Sequence, residues 1–144
     1  MLLKIGVVGY THSRFNIDKA RSALMCAVSK IANHFKPADI DIVSGLTNLG
    51  IPKLAYEFAD RCGYTTVGIS AKEAKKEHCG FFPVDDIKLI GECYGDESSY
   101  FVDQIEALVR IGGGQQSHKE VELFRQKCEQ IGWDIGERLI EKEI

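Results

Sequence analysis

Three glycine-rich stretches carry the residues of this sequence that are best suited to binding an anion. They are GYTHSRF (9–15), SGLTNLGIP (44–52) and GGGQQSHKE (112–120). Glycine lets an anion reach the main-chain N–H groups because no Cβ stands in the way. The candidate ligand-binding residues are Gly9, Thr11, Ser13 and Arg14 in the first stretch, Ser44, Gly45, Thr47, Asn48 and Gly50 in the second, and Gly112, Gly113, Gly114, Gln115, Gln116 and Ser117 in the third.

The apolar patterning around these stretches alternates between strands and helices. LLKIGVVGY is a continuous apolar run, typical of a strand buried on both faces. Further strands are predicted within 39–46, 65–70, 86–93 and 106–112, and helices within 18–35, 51–62, 98–105 and 117–132. Residues 137–143 fit either an edge strand or the end of a helix. The alternation predicts an α/β fold: one doubly wound, Rossmann-like domain over residues 1–144, with a mainly parallel sheet of about five to seven strands.

In such a sheet, ligands bind beyond the carboxyl ends of the strands, where loops lead into helices. Each glycine-rich stretch occupies such a place, and a helix N-terminus offers unpaired N–H groups and a partial positive charge to a phosphate. The sequence has no GK[ST] motif, and no GxGxxG follows the first strand. These absences disfavour a P-loop nucleoside triphosphatase and an ordinary dinucleotide pocket.

Composition and charge narrow the function classes further. The chain has 144 residues, a net charge of −3 and a pI near 5.8, which disfavours broad binding of nucleic acid. No apolar run is long enough to cross a membrane, and the start resembles a strand more than a signal peptide, so we expect a cytoplasmic protein. The five cysteines form no CxxC pair, and we expect reduced thiols, no metal site and no resident cofactor.

The segment EALVRIGGGQQSHKE resembles the SLOG superfamily, the LOG-like and SMF/DprA-like Rossmann-type nucleotide-binding proteins. The LOG branch carries PGGxGTxxE after a strand. On that motif Gly112 stands at the proline, Gly113 and Gly114 at the two glycines, and Glu120 at the glutamate, whereas Gln116 replaces the third glycine and Ser117 the threonine. The segment IVSGLTNLGIPKLAYEFADRCGYTTVGIS is similar to the second unit of the family. The resemblance spans roughly residues 3–131.

The resemblance implies binding of a phosphorylated nucleotide, a homodimer, and possible hydrolysis of the N-glycosidic bond of nucleoside 5′-monophosphates. Glu120 would then be the catalytic carboxylate that stabilises an oxocarbenium-like sugar. Glu120 fits equally well as half of a capping box with Ser117, because SHKE has that spacing. The family's catalytic arginine would fall near Glu97, and no Arg or Lys lies between Lys88 and Arg110.

Three hypotheses follow from these residues. The first is a protein that binds a phosphorylated nucleotide or nucleotide-derived small molecule without efficient catalysis. The second is a LOG-type phosphoribohydrolase that uses Glu120. The third is a DprA-like binder of single-stranded DNA, which the acidic pI disfavours.

Overall fold

The computed structural model describes residues 2–144 as a three-layer α/β fold. The strands are β1 (Leu3–Gly9), β2 (Ile40–Ser44), β3 (Thr65–Ser70), β4 (Asp86–Leu89), β5 (Ala107–Ile111) and β6 (Leu139–Lys142). The helices are α1 (Ile17–Ile31), α2 (Gly50–Cys62), α3 (Ser98–Gln104) and α4 (Gln115–Ile131). Short 3₁₀ turns cover Pro37–Asp39, Lys72–Lys76 and Ile135–Glu137.

The six strands form one sheet in the order β4-β3-β2-β1-β5-β6, and every neighbouring pair is parallel. The predicted α/β class, parallel sheet and strand number are therefore confirmed. The chain winds outward from β1 to β4 and then returns to place β5 on the other side of β1. The loops that follow β1 and β5 therefore separate from each other and leave a crevice at the ends of these two strands. Doubly wound sheets bind ligands in this crevice.

Helices cover the sheet on both sides. Apolar side chains of α1 and α2 pack against Ile5, Val7 and Ile42 on one face. Phe101 of α3 and Phe124 of α4 belong to the core on the opposite face. The strands between these layers are buried on both sides, which explains their continuous apolar runs.

The ambiguous tail forms an edge strand. β6 pairs in parallel with β5 through Leu108↔Leu139 to Ile111↔Lys142. The guanidinium of Arg110, buried in β5, donates to the carboxylates of Glu141 and Glu143. This ion pairing holds the last strand against the sheet. No helix among residues 2–144 has the length and apolar character needed to span a membrane.

Candidate functional site

A cavity of about 440 Å³ opens at the carboxyl edge of the sheet, between the loops that follow β1, β2 and β5. The side chains and backbone of the first turn of α4 form one wall. Another part of the cavity is lined by Glu97, which directly precedes α3, and by Phe101, which lies within α3. The cavity therefore lies at the switch point of the sheet, the position expected from the topology.

The two first glycines of the third stretch shape the turn between β5 and α4. Gly112 has φ +60° and Gly113 has φ +102°, a region that side chains rarely adopt. A Cβ on Gly112 would collide with the ring of Tyr10, and one on Gly113 would lie 2.5 Å from Ser117 Oγ. These two glycines are required by the packing of the protein itself.

Gly114 differs from its neighbours. Its backbone is extended, and a Cβ there would meet no heavy atom within 4 Å. Gly114 lines the cavity and is the residue that precedes α4. Replacement of Gly113 by valine would disturb the fold, because of the positive φ and the contact with Ser117 Oγ. A side chain introduced at Gly114 therefore tests whether a ligand must approach the backbone there, without straining the protein.

Within the part of the chain that the structure describes, the N-terminus of α4 has no cap. No side chain bonds the first-turn N–H groups, and within residues 2–144 no acceptor reaches the backbone N–H groups of 113–117. Two of the other three helices are different: Asn16 Oδ1 accepts from Lys19 N at the start of α1, and the Tyr10 carbonyl accepts from Ile51 N at 2.7 Å at the start of α2. The N–H groups of α4 face the cavity edge unpaired and create a positive potential there.

A pair of buried carboxylates lies beside this helix end. Glu97 is 5% exposed and Glu120 is 6% exposed. The Gln116 amide donates to Glu97 Oε2 at 3.1 Å and to Glu120 Oε2 at 3.5 Å, so it bridges the two acids. Ser98 Oγ also donates to Glu120 Oε2, at 2.9 Å. The Gly95 N–H bonds Glu97 Oε1.

This environment changes the acidity of Glu120. Burial, together with a smaller effect of the negative charge of Glu97, raises the pKa of its carboxyl from an ordinary value of 4.5 to about 7. The hydrogen bonds from Ser98 and Gln116 act in the opposite direction. At neutral pH the Glu120 carboxyl is thus present in both protonation states and can accept or donate a proton.

The lining of the cavity contains no cation from lysine or arginine among residues 2–144. Its ionisable side chains are Glu97, Glu120, His12 and Tyr residues. Attraction for an anion therefore depends on backbone N–H groups and the dipole of α4 rather than on side-chain charge.

The structure brings most of the predicted ligand residues to this cavity. Those that line it are Gly9, Thr11, Ser44, Gly45, Thr47, Gly113, Gly114, Gln115, Gln116 and Ser117, together with Glu120. Those that do not are Ser13, Arg14, Asn48, Gly50 and Gly112. The first two are exposed, and Gly50 is packed against the Tyr10 carbonyl. Ligand roles for the lining residues stay predictions.

The capping-box interpretation of Ser117 and Glu120 is wrong. The residue that precedes α4 is Gly114, so Ser117 lies inside the first turn and is not the N-cap. The Glu120 carboxylate turns toward Ser98 and Gln116 instead of the helix end. The extended backbone at Gly114 lets the helix begin at Gln115, earlier than the apolar periodicity indicated.

Sequence reasoning missed the contribution of α3 to the site. The sequence indicated Glu97 only as the place where the family's arginine is absent. In the structure Asp96 accepts from the N–H groups of Glu92 and Cys93 and holds its own loop. Only the contact between α3 and α4 brings Glu97 to Glu120, and no local pattern in the sequence indicates that contact.

No protein-family model matches this chain, and no curated protein does. Solved structures do. The molybdenum cofactor binding protein from the phototrophic bacterium Rippkaea orientalis aligns with 100% of this chain and 78% of its own, with a TM-score of 0.70 and 19% identity. The chain shares its fold with that protein.

The molybdenum cofactor carrier protein from Chlamydomonas reinhardtii has the same fold. One structure of it aligns with 100% of this chain and 78% of its own, with a TM-score of 0.66 and 18% identity. A second covers 88% of this chain and 73% of its own, with a TM-score of 0.61 and 20% identity. These likenesses are compatible with the SLOG resemblance, whereas membership in that superfamily stays a prediction.

Proposed function

We propose that this protein binds a phosphorylated, nucleotide-like small molecule in the cavity between β1 and β5, without efficient turnover. The observation that carries the proposal is the uncapped N-terminus of α4, whose N–H groups border the cavity without an acceptor from residues 2–144. A phosphate satisfies such groups directly. The helix dipole adds the equivalent of about half a positive charge at that end.

Among residues 2–144 no lysine or arginine lines the cavity, which supports binding over catalysis. Cleavage of an N-glycosidic bond requires the site to stabilise charge on both the sugar and the departing base, and loss of one such contact typically lowers a rate by ~10²–10³. Glu97 occupies the position that resembles the family's arginine, and its carboxylate faces the same cavity. A carboxylate there cannot stabilise the negative charge that develops on the departing base.

The second candidate function is hydrolysis of a nucleoside 5′-monophosphate by Glu120. One observation favours it: the Glu120 carboxyl lines the cavity, and burial raises its pKa to about 7. An acid with this pKa can donate or accept a proton at neutral pH, and its carboxylate form can stabilise an oxocarbenium-like sugar.

The solved structures of the same fold suggest one further ligand. Because those structures are of proteins that bind or carry the molybdenum cofactor, that cofactor belongs in the set of molecules tested. Native mass spectrometry of the purified protein reports any bound small molecule and the proposed homodimer in one spectrum. A cytoplasmic location and SLOG membership complete the proposal.

The test is calorimetric titration with nucleoside 5′-monophosphates, performed on the wild type and on Gly114→Val. We expect the wild type to bind and the valine side chain to prevent phosphate approach with little change in melting temperature, because the position is unstrained. Asn16→Ala is the matched control: it removes a helix cap away from the cavity, so it lowers stability by ~1 kcal/mol and leaves binding unchanged.

Chromatography of the same mixtures separates binding from turnover. Robust release of free base by the wild type, lost in Glu120→Gln, would establish the hydrolase instead. Affinity that is equal in the wild type and Gly114→Val would place the phosphate away from α4.

A further inference from the structure

One carboxylate oxygen in the cavity receives no hydrogen bond from residues 2–144. Both donors that reach Glu120, from Ser98 and Gln116, bond its Oε2 atom. No donor within residues 2–144 bonds Oε1, although the residue is only 6% exposed. Glu120 lines the cavity, so this oxygen is available to a molecule inside it.

Glu97 provides a second acceptor next to the first. Among the described residues, its Oε2 accepts a hydrogen bond from the Gln116 amide alone, and a carboxylate oxygen can accept two. Because Gln116 bridges both acids, the two carboxylates lie side by side on one wall. A buried carboxylate without enough donors is unfavourable, so this wall selects a ligand that brings its own.

From this arrangement we propose that Glu97 and Glu120 bind the ring of the ligand, and that the ring presents an N–H group beside an exocyclic amino group, as on the Watson–Crick edge of guanine. Two parallel N–H···O bonds to carboxylates are short and strong, and they match the two adjacent acceptors. When Glu120 is ionised, an adenine edge places an unprotonated ring nitrogen against two carboxylates and is rejected, so the ligands are compared above pH 7. The inference deepens the proposed function and rests on it.

The surroundings of the acids favour a ring over a sugar. Phe101 lies one helical turn after Glu97 and lines the same cavity, together with Val8, Ile69 and Tyr94. Apolar and aromatic walls bury the faces of a flat heterocycle, whereas the hydroxyls of a sugar need more polar partners than these residues provide. The phosphate end of the ligand then reaches the polar glycine turn at 113–115.

The experiment compares four ligands by calorimetric titration: guanosine, inosine and adenosine 5′-monophosphates, and ribose 5-phosphate. Inosine monophosphate lacks only the exocyclic amino group. We expect guanosine monophosphate to bind about 10- to 100-fold more tightly than inosine or adenosine monophosphate, the range for hydrogen bonds to a charged acceptor. Glu97→Gln and Glu120→Gln should each reduce this preference at least threefold.

Glu129→Gln, an exposed position on the same helix, serves as the control and should keep the full preference. Circular dichroism establishes that each variant is folded, and the ranking of ligands on the wild type tests the proposal even if a variant is not. Equal affinity for the three nucleotides overturns the ring assignment and leaves the proposed function intact. Carboxylate-dependent binding of ribose 5-phosphate with the same affinity as the nucleotides assigns the acids to the sugar and also overturns it.

Two further titrations, with nucleosides that lack phosphate and with added Mg²⁺, distinguish the remaining outcomes. Guanosine without phosphate should still bind more tightly than adenosine, because the ring contacts do not use the N-terminal N–H groups of α4. If the monophosphates bind no more tightly than the nucleosides, the proposed function fails and the ring assignment stands. A preference that appears only with Mg²⁺ and disappears in both glutamine variants would identify the acids as a cation site and overturn the assignment. Absence of binding by every ligand overturns both proposals.

Discussion

The buried carboxyl of Glu120 makes the stability of the protein depend on pH in a way that Glu120→Gln removes. Its pKa is about 7 in the folded protein and 4.5 ordinarily, so the folded state binds the proton more tightly than the unfolded state does. Folding is therefore favoured while the carboxyl is protonated. The advantage of the protonated form is lost as pH rises from about 4.5 to about 7.

The magnitude follows from the size of the pKa change. Each pKa unit corresponds to 1.36 kcal/mol, so a rise from 4.5 to about 7 corresponds to about 3 kcal/mol. The charges and donors that face the carboxyl are Glu97 from the segment before α3, Ser98 at the start of α3, and Gln116 and Lys119 on α4 itself. Glutamine is neutral at every pH, so Glu120→Gln should gain up to about 3 kcal/mol relative to the wild type across this interval.

The assay is urea unfolding followed by circular dichroism at several pH values between 4.5 and 8, on the wild type, Glu120→Gln and Glu129→Gln. The difference between Glu120→Gln and the wild type should grow with pH and level off above 7. Glu129 is exposed on the same helix, so its variant should follow the wild type. A difference that stays flat, or that shrinks with rising pH, would refute the assignment of a buried, uncompensated carboxylate.

Three more outcomes are expected. Gly112→Ala should lower the free energy of unfolding by ~1–3 kcal/mol, measured by urea unfolding, because φ is +60° and the new Cβ meets the Tyr10 ring; unchanged stability would contradict the packing role. Arg110→Met should lower it by ~2 kcal/mol and weaken nucleotide binding in titration calorimetry, since the guanidinium bonds the Gly112 carbonyl at 2.8 Å; wild-type values for both would show that the turn needs no such support. Incubation with adenosine monophosphate should release negligible free adenine by chromatography, and Glu120-dependent release would establish the hydrolase.

The layered fold could be predicted from the sequence because its strands are buried on both faces. A run such as LLKIGVVGY needs two covering layers, and helical periodicity after each strand provides them. The tail 137–143 could not be assigned in the same way. Leu139–Lys142 is held by pairing with β5 and by Arg110, and these are tertiary contacts between residues about thirty positions apart.

The site was predicted only in part for a related reason. Strand ends and glycines place the three loops at one edge of the sheet, which a sequence pattern indicates. Whether the N–H groups at a helix N-terminus are unpaired depends on the residues around them. At α2, the carbonyl of Tyr10, from the loop after β1, accepts a hydrogen bond from Ile51 N. Glu97 lies in the site because α3 packs on α4. This tertiary contact produces no periodic pattern in the sequence near residue 97.

The two polar parts of the cavity make opposite demands on one ligand. The start of α4 has N–H donors and needs acceptors, whereas Glu97 and Glu120 have acceptors and need donors. A phosphorylated heterocycle with N–H groups at its far end satisfies both together, and each contact compensates a buried group that the protein leaves unpaired. Cleavage would use Glu120 differently, at the sugar, and would require a positive group for the leaving base where Glu97 stands. The distribution of donors and acceptors therefore fits retention of an intact ligand better than its hydrolysis.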